Sequence, residues 1–203
     1  MRELPINAQG FPVPWFVAVI NGTPDFRVID RAKLRTAVLF QRCWLCGGHL
    51  GRTHTYVIGP MCMVNRISSE PPSHFECADF AARACPFLTQ PDRVYREKHL
   101  PTNTQEAAGF ASKRNPGVAV LWTTREPLHV FRAHAGKEGM LFRLGEPMML
   151  AYYTEGRMAT RPEIDAALEG GCEVLRATAA AEGQVALRLL ATQIERARGL
   201  LPA

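Results

Sequence analysis

Apolar residues recur along the chain at two spacings. Between residues 15 and 144 they come mostly in short runs of four to seven, and beyond Thr160 they recur at helical intervals. The short runs predict strands at Trp15–Ile20, Phe26–Ile29, Thr53–Ile58, Met61–Ile67, Val118–Thr124, Leu128–Ala133 and Met140–Leu144. Asn21-Gly22 is a hairpin signal, with Thr23-Pro24-Asp25 lengthening the loop. Gly59-Pro60 joins the third and fourth runs as a second hairpin.

Helices are predicted where a cap precedes a 3.6-residue period. Asp30 opens a helix from Arg31 to about Gln41, with Leu34, Ala37, Val38 and Gln41 on one face. Ser73 and Glu76 have the spacing of a capping box, so a helix is expected from His74, carrying Phe75, Ala78, Ala81 and Ala82 and stopping before Pro86. Pro147 suggests a helix to about Glu155. Thr160 and Glu163 form a second capping box for a helix bearing Ile164, Ala167 and Leu168, which Gly170-Gly171 is expected to end. Two more helices follow, near Glu173–Ala181 and at Gln184–Arg198, the last with a stripe of Leu187, Leu190, Ile194 and Ala197. These two could pack as a hairpin on the sheet or on a second copy. Residues 1–14 read as an irregular lead-in anchored by Phe11. Residues 88–117 keep no period beyond short helical stretches at Arg93–His99 and Thr104–Phe110.

The fold class this implies is α+β: small antiparallel hairpins or sheets with a helical C-terminal part. The expected organisation is an N-terminal hairpin and helix (1–42), a cysteine-bearing module (43–87), an irregular connector (88–117), and strands followed by helices (118–203), all in one compact unit. Composition agrees, with 203 residues, 47% apolar and 21% charged. The start has no apolar leader, and no run approaches the ~18 apolar residues of a membrane helix. A cytoplasmic protein without a membrane partner is expected. Six cysteines then favour metal binding over disulfides.

The chemistry concentrates between Cys43 and Cys85. Cys43-x-x-Cys46 before Gly47-Gly48 can aim two thiolates at one point. His74 and Cys77, three residues apart at a helix start, share a face. Four donors of the Cys3His type suit closed, tetrahedral structural zinc. Cys46-x-x-His49 has ligand spacing too, so His49 could replace His74, and an iron–sulfur cluster is a further alternative. Cys62 and Cys172 read as core thiols. Cys85, eight residues past Cys77, would lie about 12 Å away along a continuous helix and could not share the ion.

A knuckle, a hairpin, and a helix whose first turn gives the last two ligands resembles a treble-clef zinc finger over about 40 residues. The string Gly59-Pro-Met-Cys62…Asn65-Arg66…Ser69-Glu-Pro-Pro-Ser-His74…Cys77…Cys85-Pro86-Phe87 also resembles a family of uncharacterised proteins from bacteria and their phages. The order His54…Asn65…His74 is similar to HNH nucleases, where it implies a water-activating His, an orienting Asn and a metal-binding His. Here Thr53 stands where an acidic residue commonly precedes the first His, and His74 is also required by zinc.

Charge points to a partner. The formal net charge is +5, and the six Lys/Arg and one Asp between Arg27 and Arg52 account for as much. Arg31, Arg35 and Arg42 fall within about 40° of one another at helical spacing. They could be a solvated face or, with Arg52, a phosphate-contacting stripe for DNA or RNA. Glu76 is accounted for by its cap, and no phosphate loop, nucleophile elbow or H-E-x-x-H occurs. The expected function is a zinc-stabilised binding or regulatory protein meeting nucleic acid through the basic segment. The alternatives are an HNH-like nuclease or other metalloenzyme, and an interaction factor or homo-oligomer built on the C-terminal helices.

Overall fold

The computed structural model describes residues 4–90, 108, 114–133 and 139–202. The short helices expected at Arg93–His99 and Thr104–Phe110 lie outside them, apart from Ala108. The fold is α+β, with three small antiparallel sheets and a helical C-terminal part.

Strand β5 (Ala119–Thr124) is the centre. All six of its residues are buried, and it is paired on both edges, by β3 (His54–Ile58) and by β8 (Met149–Thr154). The two-residue β9 (Arg157–Met158) extends the sheet beyond β8. One face carries Tyr56, Ile58, Val120, Trp122 and Tyr152 into the main core, against helices α5 (Arg161–Glu182) and α6 (Gln184–Arg198). The opposite face carries Leu121 and Tyr153 against Ala78 and Ala82 of α3 (Phe75–Ala84), which the short α4 (Pro86–Thr89) follows. The strand alternation thus feeds two cores, one on each side of a single sheet.

The first hairpin is tighter than expected. β1 (Val17–Ile20) pairs with β2 (Thr23–Ile29) directly across Asn21-Gly22. Both turn residues have positive φ, 50° and 79°, the geometry of a type I′ turn, so Thr23 and Pro24 belong to the strand. Helix α1 (Arg31–Leu39) begins as predicted, with Asp30 accepting from the backbone N–H groups of Ala32 and Lys33. Ala37 is buried and Leu34 and Val38 pack on the main core, but Gln41 lies past the helix end and is exposed. Phe11 is 41% exposed and is not the anchor its sequence position suggested.

Three elements differ from expectation. Met61–Ile67 is not the return strand of a hairpin with β3. It forms helix α2 (Pro60–Asn65) and a two-residue strand, β4 (Ile67–Ser68). Proline at the first turn fits a helix start, and the buried Pro60, Met63 and Val64 have i, i+3, i+4 spacing hidden inside a uniformly apolar run. β4 pairs instead with β7 (Met140–Arg143), which also pairs with β6 (His129–Arg132). The helix expected from Pro147 is strand β8, because β5 has a second edge whose backbone groups must be bonded. Gly170-Gly171 does not end a helix, and α5 runs 22 residues through it. A Cβ on Gly171 would lie 3.2 Å from Pro60 Cβ and 3.3 Å from the backbone nitrogen of Met61. That glycine marks a helix crossing. Among the described residues no helix is long and apolar enough to cross a membrane.

Candidate metal centre

Cys43, Cys46, His74 and Cys77 come together, with one ligand atom from each inside a sphere where none is more than 4.8 Å from another. A tetrahedral zinc ion with Zn–S bonds near 2.3 Å sets its ligand atoms about 3.8 Å apart, so the donor set is nearly closed around an ion's volume. Among the described residues no other group of three or more His, Cys, Asp or Glu side chains does this.

Two pieces of backbone build the site. The first is the knuckle 42–49. Cys43 N–H donates to Gly48 O at 2.7 Å, Gly47 N–H donates to Cys43 O at 2.8 Å, and Arg42 bridges His49. Gly47 has φ of +75°, and a Cβ there would strike the Trp15 ring at 2.7 Å, so only glycine fits the turn. The second piece is the start of α3. His74 is its N-cap, and Cys77 follows in the first turn. The capping box expected from Ser73 and Glu76 does not form, because Ser73 exchanges both backbone hydrogen bonds with Thr55, which moves the cap one residue on.

The surroundings suit thiolates. Cys43 Sγ accepts from the N–H groups of Cys46 (3.5 Å) and His74 (3.4 Å), and Cys46 Sγ accepts from Gly48 N–H at 3.4 Å. His74 Nδ1 stands 3.4 Å from Cys46 Sγ and 3.7 Å from Cys77 Sγ, while its Nε2 lies 2.9 Å from the carbonyl oxygen of His49. With Nε2 as donor to that carbonyl, the Nδ1 lone pair faces the sulfurs, the outer-shell arrangement that orients ligating histidines. A hydrogen bond from the Cys77 thiol pulls Cys43 down to about 4 and raises Cys77 in turn. Burial raises Cys46. Leu45, Leu50, Phe16 and Ala81 close the apolar shell.

His49 is therefore not a ligand by its ring, whose Nδ1 is 2.7 Å from Leu50 O. Its carbonyl does the positioning, a role that no side-chain motif could reveal. Cys62, Cys85 and Cys172 stay outside the cluster. Cys172 is fully buried in the main core, and Cys62 packs against that core from α2. Burial pushes the Cys62 thiol up to about 11 and the nearby Glu70 carboxyl up to about 7.

His54, Asn65 and His74 do not converge as an HNH site would require. His54 is 6% exposed on β3, and its Nδ1 is 2.9 Å from Glu126 O. Its Nε2 is buried with no hydrogen-bond partner among the described residues. Asn65 Oδ1 accepts from Ile67 N–H at the end of α2, and His74 belongs to the cysteine cluster.

The predicted arginines divide. Arg31 and Arg35 are exposed on α1. Arg42 is not on that helix. The chain turns at Gln41, φ 46°, and Arg42 begins the knuckle, so the three do not form one helical stripe. Arg52 is exposed two residues past Leu50, whose N–H donates to Gln41 O. Comparison with protein-family models, curated proteins and solved structures gave no match.

Proposed function

We propose that this chain is a zinc-stabilised module that binds nucleic acid through the surface around α1 and the knuckle. The carrying observation is adjacency. Arg42 directly precedes Cys43, and Leu50 N–H, just past the knuckle, donates to Gln41 O, so the cluster fixes the backbone that presents Arg42. Zinc is favoured as the ion because a closed Cys3His set of this size suits a metal that needs no open position. Arg35, Arg42 and Arg52 have no ion pair among the described residues, a property shared with Arg125, Arg132, Arg143, Arg188 and Arg196, whereas Arg66, Arg83, Arg157, Arg161, Arg176 and Arg198 are all paired. Unneutralised guanidinium groups are what a phosphate backbone recruits.

The test is fluorescence anisotropy of a labelled oligonucleotide against salt, on protein whose metal content shows one zinc per chain. Binding should weaken steeply with salt. The Arg35→Ala/Arg42→Ala/Arg52→Ala variant should flatten the log K against log[salt] slope by about 2–3. Absence of binding at low salt sinks the proposal.

A further inference from the structure

The end of α1 exposes Leu39 at 73% and Phe40 at 60%, among the most exposed large apolar side chains described. They stand beside the cations just described: Leu39 is one turn from Arg35, and Arg42 follows two residues after Phe40. The backbone beneath them is held. Phe40 N–H donates to Thr36 O at 3.0 Å, Arg42 N–H donates to Ala37 O at 3.0 Å, and Gln41 is fixed between them in a left-handed conformation. The apolar pair is thus presented by an ordered turn.

We infer that Phe40, with Leu39 beside it, is a stacking platform for an unpaired base, and that the nucleic acid bound is single-stranded. This rests on the nucleic-acid reading above and names the ligand class for that surface. Three physical points select a base. An exposed aromatic ring among unpaired arginines reproduces the combination that single-strand binders use, a ring for the base and cations for the backbone. The ring also sits at the carbonyl end of α1, where an uncharged group meets no dipole penalty, while the flanking Arg42 offers a cation to an adjoining phosphate. Finally, a second copy is a poor occupant. A two-fold contact through Phe40 would set these cations against their own copies. A lipid surface would need contiguous apolar area, but Leu39 and Phe40 are followed directly by Gln41 and Arg42.

The test compares labelled dT20 with a 20-base-pair duplex on the zinc-loaded full chain, using wild type, Phe40→Ala and Phe40→Trp. Both substitutions are at an exposed position and should leave the fold intact, which circular dichroism checks. Wild type should prefer dT20. Phe40→Ala should weaken dT20 binding about 10-fold or more, with duplex binding and the salt slope unchanged, and Phe40→Trp should restore it. If wild type binds nucleic acid but Phe40→Ala binds dT20 equally well, the stacking inference is wrong and the electrostatic reading survives. If wild type binds neither probe, both fall. Sedimentation with phosphatidylserine vesicles that depends on Phe40, in a chain that ignores dT20, would reassign the surface to lipid. Concentration-dependent self-association abolished by Phe40→Ala would reassign it to a second copy.

Discussion

Burial holds the Glu70 carboxyl near pKa 7, where an exposed glutamate titrates near 4.3. Its backbone is fixed by Ser68, whose Oγ donates to Glu70 O and accepts from Glu70 N–H. The sign follows from proton linkage. Between about pH 4.5 and 7 the folded state holds a proton that the unfolded chain has released, so stability falls as pH rises through that window. Below it both states are protonated and the penalty vanishes. Above it the full cost of burying the charge remains. The side chain is half-buried by area, which places the effect at the lower end of roughly 1–3 kcal/mol. Glu70→Gln should therefore raise the melting temperature at pH 8 and leave it nearly unchanged at pH 4.5. Thermal denaturation of both proteins across that range checks it, and parallel curves would refute it. The His54 ring is buried on β3, with Nδ1 2.9 Å from Glu126 O.

Helix α5 carries two adjacent glycines in different surroundings. A Cβ at Gly170 meets nothing within 4 Å, while one at Gly171 presses on Pro60 and on the backbone of Met61, which cannot easily give way. Gly170→Ala should stabilise by about 0.5–1 kcal/mol through helix propensity. Gly171→Ala should lose that gain to the α2 crossing and come out neutral or destabilising. Equilibrium denaturation of the pair tests this, and equal stabilisation by both would refute the crossing. The same glycines show where sequence runs out. A Gly-Gly pair reads as a helix end, and only the partner helix reveals that it is a contact. β8 was hidden for a related reason, since a proline cue is local whereas the open edge of β5 lies about 30 residues away. The Asp30 cap, the Thr160–Glu163 capping box and the stripe of α6 were legible because each is decided within a few residues. The Cys43/Cys46/His74/Cys77 cluster was legible because its spacing encodes its geometry. Leu39 and Phe40 were not, since exposure of an apolar pair is a property of the folded surface.

Across the whole molecule the cysteine–histidine cluster and the central sheet are joined by the packing of α3 and by a backbone bridge. Thr55 on β3 exchanges hydrogen bonds of 3.0 and 2.7 Å with Ser73, the residue before ligand His74. Thr55 Oγ1 also lies 3.0 Å from Thr123 Oγ1 on β5. On the proposed zinc occupancy, removing the ion with a strong chelator should loosen the knuckle and reach the sheet edge, because structural zinc supplies roughly 10–16 kcal/mol in small domains. In hydrogen exchange, the amides of Cys43, Gly47, Leu50, Thr55 and Ser73 should lose protection by two or more orders of magnitude, while those at the centre of β5 lose much less. Unchanged exchange at Thr55 and Ser73 would show that the bridge carries no coupling. The bridge also imposes an order in time. A ribosome delivers all four ligands by Cys77, but the β5 partner of β3 starts only at Ala119. At about 5–20 residues per second, the nascent chain spends several seconds with all four cluster residues made and no central sheet. Metal capture can then precede assembly of the main core, leaving β3 anchored at one edge by Ser73 and waiting for its partner strand.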